Sequence, residues 1–319
     1  MNKRPLGNSG LETAPLVFGG NVFGWTTDEP TSFALLDAFV DCGFNFIDTA
    51  DVYSRWAEGH TGGESETIIG KWLKRTGKRD KIIIATKVGM DMGAAGKGLG
   101  KAHIVSSIED SLRRLNTDHI DLYQAHRDLP ETPLEETLEA FAGLVQAGKV
   151  RAIGASNYEA PRLAEALRVS EARHLPRYAC LQPHYNVAYR TRFESALQKL
   201  CIDEGLAVIP YYVLAGGFLT GKYRSEADII GKPRDFYVKK YATERCFDIL
   251  KAIDEVAARF NATPAQISIA WALAQPGITA PIVSATSLAQ WNEVAKSIEI
   301  RLDAEALALL DKAGTASPQ

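Results

Sequence analysis

Residues 81–126 read KIIIATKVGMDMGAAGKGLGKAHIVSSIEDSLRRLNTDHIDLYQAH. The first eight residues form a short apolar run rich in isoleucine, and a second run, IDLYQAH, closes the stretch at 120–126. Between them HIVSSIEDSLRRL, residues 103–115, has the amphipathic spacing of a helix. Strand, helix and strand in that order make a crossover unit, and strands joined this way run parallel. The Gly-rich piece GMDMGAAGKGLG (89–100) reads as a surface loop. Lys87 near the end of the first strand is unexpected in a packed position.

The same unit recurs on both sides. LVFGG (16–20), NFIDTA (45–50), VRAIGAS (150–156), YACLQPH (178–184), AVIPYY (207–212) and PIVSA (281–285) are strand candidates, and each is followed by a helical pattern. Eight strands alternating with helices predict a closed (β/α)₈ TIM barrel of the α/β class rather than an open sheet. In PLEETLEAFAGLVQAG, Leu134, Leu138, Phe141, Leu144 and Val145 share one face, Pro133 pre-sets φ near the start, and Gly148 stops the helix. TPAQISIAWAL (263–273) adds a further helix, with Thr263 as N-cap and Pro264 at N1. The N-terminal piece KRPLGNSGLETAPL has Gly-Asn-Ser-Gly between two extended stretches and predicts a β-hairpin. With no linker or low-complexity segment, residues 1–319 are expected to form one domain with extra C-terminal helices.

Composition narrows the function. The 319 residues carry 36 basic and 39 acidic side chains, a net charge of -3, so there is no basic footprint for nucleic acid. No apolar run approaches the ~20 residues of a spanning helix, and MNKRPLGNSG has no apolar segment after its basic residues. The four cysteines are scattered without a CxxC pair, as buried thiols in a reducing compartment, and a cytoplasmic protein is expected. Two motifs mislead. HRDL (126–129) imitates a kinase catalytic loop, but position 133 is proline where that loop needs asparagine. GGFLTGKY (216–223) has the spacing of a Walker A loop, but Tyr223 stands where Ser or Thr must hold Mg²⁺. A Gly-rich turn with a lysine still suits a pyrophosphate. No GxGxxG follows a strand, which argues against a Rossmann domain.

Catalytic groups in such a barrel sit where strands end. Asp48 ends the second strand and Tyr53 follows it; Lys87 and His126 end the third and fourth. Consecutive strands are neighbours, so Asp48, Tyr53, Lys87 and His126 converge. A tyrosine of ordinary pKa about 10 is a poor acid at neutral pH. An ammonium beside it stabilises phenolate, and a carboxylate keeps a buried ammonium charged. Asp48 is therefore expected to hold Lys87 rather than Tyr53, and His126 to orient an oxygen or relay a proton. The group lacks a nucleophile with an adjacent base and any metal-ligand set. It suits protonating a carbonyl oxygen while a cofactor supplies hydride.

Seven blocks carry a resemblance: DTADVYS (48–54), ATKVG (85–89), DLYQAH (121–126), GASNY (154–158), LQPHYN (181–186), GGFLTGKY (216–223) and ATSLAQW (285–291). Together and in this order they resemble the aldo-keto reductase family. The resemblance implies NADPH-dependent reduction of aldehydes and ketones, the cofactor lying extended across the barrel. It implies Tyr53 as general acid, Lys87 paired with Asp48, and His126 orienting the carbonyl. For the cofactor it implies Gly20 and Asn21 at the nicotinamide ribose and Ser156, Asn157 and Gln182 at the carboxamide. Tyr211 would stack on the ring, and Leu214, Gly216 and Lys222 would clasp the pyrophosphate. Ala285, Thr286, Ser287, Gln290 and Glu293 would meet the adenosine phosphate.

The sequence also departs from that pattern. Tyr211-Tyr212-Val213-Leu214 replaces a common YSPL, Ser284 replaces a usual glycine, and Val294 an asparagine. Gln290 stands where many members have arginine, so the charge facing a 2′-phosphate is assigned to Arg234, and NAD(H) stays open beside NADP(H). Trp25 and Trp56 line the substrate side or act as lids. Plainer roles stay open too: Asp48 as a turn cap, Ser156 and Asn157 as a helix N-cap, Gln182 on a backbone group, His184 as structural. The alternatives to a reductase are a non-catalytic nicotinamide-binding regulatory subunit, a sugar or alcohol dehydrogenase working oxidatively, and a Schiff-base aldolase on Lys87. The partner is a small carbonyl compound. Substrate identity and oligomeric state are not legible.

Overall fold

The computed structural model describes residues 1–194, 196–232 and 234–315. Its centre is a ring of parallel strands, numbered here along the chain: β1 Val17–Gly19, β2 Phe46–Asp48, β3 Ile83–Val88, β4 Ile120–Ala125, β5 Val150–Ser156, β6 Tyr178–Gln182, β7 Ala207–Val208 and β8 Ile282–Val283. Each strand pairs with the next, and β8 pairs with β1. Backbone bonds close the ring between β7 and β8. The Thr279 amide donates to the Val208 carbonyl and the Ile282 amide to the Pro210 carbonyl, both at 2.8 Å. This is the (β/α)₈ barrel expected from eight strand–helix units.

Side chains alternate across each strand, and two cores result. Val17, Phe46, Ile83, Ala85, Leu122, Ala152 and Cys180 point inward and fill the barrel. Leu6 and Leu11, from the antiparallel hairpin Arg4–Pro5/Glu12–Thr13, join this inner cluster and plug one mouth. Phe18, Ile47, Ile84, Tyr123 and Ile153 point outward into a larger core shared with the helices. Strands covered on both faces need continuous apolar runs, which is why β3 and β4 stood out in the sequence.

The helices begin and end where the local chemistry directs. Thr263 and Gln266 form a reciprocal capping box in front of helix Pro264–Ala274. Pro133 sits as the cap residue just outside helix Leu134–Gln146. After β7 come 3-10 turns at Ala215–Thr220, Glu226–Asp228 and Lys239–Tyr241 and a short helix Asp235–Val238 before helix Glu244–Arg259, and helix Ala304–Thr315 packs on that helix near the C-terminus. No described helix is long and apolar enough to cross a membrane.

Gly70 marks the tightest helix crossing. A Cβ there would stand 2.1 Å from the Arg114 carbonyl oxygen, on the neighbouring helix Lys101–Leu115. Alanine in place of glycine normally favours a helix by about 1 kcal/mol. Here the helices must move apart, so Gly70→Ala is expected to destabilise the fold by roughly 1–3 kcal/mol. Urea unfolding reads the sign directly, and a stabilised variant would refute the close packing.

Candidate active site

Alternation also decides which polar groups meet at the other mouth of the barrel. Asp48 shares the inward side with Phe46, Lys87 with Ile83 and Ala85, and Gln124 with Leu122. Register pairs Lys87 with Gln124 and Ser156 with Gln182. Gly154 makes room among them, because a Cβ there would lie 2.7 Å from Cys180 Sγ and 3.1 Å from Gln124 Cγ.

Lys87 is fully buried, and its ammonium donates three bonds. They run to Asp48 Oδ2 at 2.7 Å, the Thr49 carbonyl at 2.8 Å and Tyr53 Oη at 2.8 Å. Asp48 Oδ1 accepts from Gln182 Nε2 at 2.8 Å and from Gln124 Nε2 at 3.3 Å. The expectation that Asp48 serves Lys87 rather than Tyr53 needs correction. The phenol also reaches Asp48 Oδ2, at 3.3 Å, because both groups approach the same carboxylate oxygen.

The electrostatics need a second correction. Burial, and then the Asp48 carboxylate, push the Tyr53 phenol well above its ordinary value. The nearby ammonium does not outweigh them in this resting arrangement, so Tyr53 holds its proton. Burial lowers the Lys87 pKa and Asp48 opposes that shift. Burial, with Lys87 and Arg127 nearby, drives His126 well below its usual value, and its imidazole is neutral at neutral pH. Its Nδ1 is buried without a partner.

A cavity of about 1080 Å³ opens over this group. Asp48, Tyr53 and His126 line its floor, while Lys87 lies behind them. Asn21, Ser156, Asn157, Gln182, Tyr211, Leu214, Gly216, Lys222, Arg234, Thr286, Gln290 and Glu293 also face it, as do Trp25 and Trp56. Gly20, Ala285 and Ser287 are not among its lining residues; Ser287 accepts from the Gln290 amide as cap of helix Leu288–Ala295. Ser156 and Asn157 are not a helix N-cap. Ser156 Oγ donates to the Gln182 carbonyl and Asn157 Nδ2 to the His126 carbonyl, while helix Ala160–Ala172 begins after Glu159. Gln290 Oε1 accepts from Thr286, and Glu293 Oε1 accepts from Thr263 Oγ1. Arg234 lies over the Trp25 ring and donates to Thr26 Oγ1 at 3.4 Å. Arg234 is also one cause of the lowered Lys222 pKa, after burial. Neither cation has a carboxylate partner among the described residues.

The sequence reading passed over Gln124 and left His184 leaning to a structural role. Gln124 bridges Asp48 to the Gln182 amide, and the inward series Leu122, Gln124, His126 along β4 contained the signal. His184 backs Tyr211 in a ring stack: His184 to Tyr189 is 4.0 Å at 11°, and His184 to Tyr211 is 5.4 Å at 23°. The Tyr211 hydroxyl donates to Asn157 Oδ1 at 2.7 Å. His184 Nε2 bonds Tyr241 Oη at 2.8 Å, which ties the platform to the segment after β7.

Behind Lys87 lies a second buried charge group. Glu66 accepts from Thr86 Oγ1 at 2.5 Å and from Arg114 Nε at 2.7 Å. Asp51 is buried beside them, and neither of its carboxylate oxygens has a hydrogen-bond partner. Burial, then the Glu66 charge, raises its pKa to about 8.

The family model described as Aldo/keto reductase family matches residues 15–315. An uncharacterized oxidoreductase of Bacillus subtilis, YrpG, is 35% identical over 96% of this chain and 94% of its own length. The aldo-keto reductase YhdN of the same organism is 34% identical over 87% of this chain and 82% of its own length. A probable voltage-gated potassium channel subunit beta of Arabidopsis thaliana is 31% identical over 94% of this chain and 92% of its own length.

Two stability outcomes follow from the buried charges. Lys87→Met strands Asp48 without its cation and is expected to cost about 3–5 kcal/mol, whereas Asp48→Asn with Lys87→Met costs less than the two single changes added. Denaturant titration of the four proteins reads the coupling, and strict additivity would refute it. The Asp51 carboxyl binds its proton more tightly folded than unfolded. Its stabilising contribution is therefore complete below about pH 4 and is lost as pH rises towards 8, by at most about 1.4 kcal/mol per pH unit. Asp51→Asn should gain stability over the wild type progressively across that window, and a constant difference between the two unfolding curves would contradict the assignment.

Proposed function

The chain belongs to the aldo/keto reductase family, and we propose that it reduces an aldehyde or ketone to the alcohol with NADPH, Tyr53 protonating the carbonyl oxygen. The observation that carries this reading is the three-bonded Lys87 ammonium, 2.8 Å behind a phenol that faces the cavity. A phenol kept protonated by burial is a loaded acid. As it gives up its proton, Lys87 is already aligned to hold the phenolate, so the ammonium favours the transferring state over the resting one. Neutral His126 is suited to orient the carbonyl oxygen at the same spot. The bonds to Asp48 Oδ2 and the Thr49 carbonyl hold the ammonium in place.

The residues suit a dinucleotide phosphate. Lys222 is exposed and Arg234 half-buried; both face the cavity, and neither has a carboxylate partner among the described residues, an arrangement that favours an anion. Tyr211, backed by His184, offers a ring to the nicotinamide, and Ser156, Asn157 and Gln182 surround that end. When bound, the nicotinamide supplies the hydride. Gln290 brings no charge to the adenosine end; Arg234 lies over Trp25 and beside Lys222, so these two cations are assigned to the cofactor's phosphates, with NADPH as the proposed form. The same groups would serve oxidation of an alcohol run in reverse.

A second reading is prompted by the plant relative: a nicotinamide-binding regulatory subunit with little turnover. Both are tested by following NADPH oxidation with a panel of aldehydes alongside cofactor affinity. Wild type is expected to turn over and Tyr53→Phe to lose about 10²–10⁴-fold in kcat, with NADPH affinity retained. Equal rates for the two proteins would remove Tyr53 from the chemistry; tight binding without turnover would favour the regulatory subunit. Arg234→Ala should weaken NADPH binding, read by cofactor titration.

A further inference from the structure

The substrate side of the cavity carries a charge that the reaction itself does not use. Trp25 and Trp56 meet edge to face at 5.5 Å, and Trp56 meets the Tyr53 ring at 5.9 Å. Met90 and Arg127 line the same cavity, and Arg127 directly follows His126. An aromatic and thioether wall suits a flat or apolar body. The guanidinium in that wall suits something else.

Four arginines lie near this mouth. Arg234, over the Trp25 ring, has no carboxylate partner among the described residues and is assigned to the cofactor's phosphates; two of the other three are held by carboxylates. Arg55 donates to the Asp91 carbonyl at 2.5 Å, with the Asp91 carboxylate at 3.6 Å. Arg192 pairs with Glu159. Arg127 has no carboxylate partner among the described residues; its Nε donates to Met90 Sδ at 3.0 Å. The acid next to it in the chain, Asp128, is turned away and bonds Arg162 Nε at 3.0 Å. Glu165 and the Thr132 carbonyl complete the partners of Arg162 and fix that arrangement. Asp48, the carboxylate of the floor, is committed to Lys87, Gln124 and Gln182. Next to His126 in the chain, the cavity therefore presents an exposed planar cation whose two terminal amino groups have no hydrogen-bond partner among the described residues.

We infer that the carbonyl substrate carries a carboxylate or similar small oxyanion on a flat or apolar body, and that Arg127 receives it. The inference rests on the reading of Tyr53 as the acid of a carbonyl reductase. A guanidinium binds an oxyanion through parallel charge-assisted bonds, and apolar walls strengthen them. The anion is held away from the reacting carbon, so its contribution appears in KM more than in kcat.

The experiment compares kcat/KM for benzaldehyde, 3- and 4-carboxybenzaldehyde and 4-(trimethylammonio)benzaldehyde, with NADPH, in wild type, Arg127→Gln and Arg127→Glu. Wild type is expected to prefer at least one carboxylate isomer over benzaldehyde by on the order of tenfold, mainly through KM, and less at high salt. Arg127→Gln should erase that ratio, and Arg127→Glu should invert the order of anionic and cationic aldehydes. A wild type that reduces benzaldehyde without favouring either acid, or a preference that survives Arg127→Gln, overturns the inference and leaves the reductase reading intact. A wild type that reduces none of the four overturns both.

Discussion

The ammonium of Lys87 has no access to water, and much of the inner architecture follows from that. A buried cation is tolerable only when every proton finds an acceptor and its charge finds a partner. Asp48 supplies the charge, and the Thr49 carbonyl and Tyr53 hydroxyl take the other two protons. The demand then passes outward. Asp48 has a second oxygen to satisfy, and Gln182 and Gln124 from two further strands satisfy it. Gln124 fits because position 154 carries no side chain. Five neighbouring strands are thus committed to one charge, and a barrel with adjacent, parallel, in-register strands brings them together.

This arrangement suits an acid. Were the lysine alone beside the phenol, the tyrosine would ionise too readily and arrive at the reaction empty. Burial and the shared carboxylate oxygen hold the proton on Tyr53, and in the proposed reaction the aligned ammonium would lower the barrier to its departure. The neighbouring group of Asp51, Glu66 and Arg114 shows the opposite economy. There the charge is incompletely compensated, and one carboxyl answers by keeping its proton. Asp51, three residues after Asp48, keeps its proton because burial, and then the like charge of Glu66, raise its pKa to about 8.

Much of this was legible along the chain. The barrel follows from eight apolar runs with helices between them, since parallel strands need both faces covered. Asp48, Lys87 and His126 were conspicuous because they interrupt such runs near their C-terminal ends. Gln124 escaped notice because a glutamine inside IDLYQAH is unremarkable until the alternation of its neighbours is counted. His184 looked structural, and its stacking on Tyr211 depends on β6 and the segment after β7 lying side by side.

Period and chemical type are local properties, so the chain alone dictated strands, helices, their order and the kinds of group at the strand ends. Electrostatic balance is not local. Whether Tyr53 keeps its proton depends on burial and on a carboxylate that two groups share, neither visible in the spacing of residues 48 and 53. Whether Arg127 stands free depends on Arg162 capturing Asp128 from a helix more than thirty residues away. Pairwise distances of a few ångströms settle such questions, and only the folded barrel sets those distances.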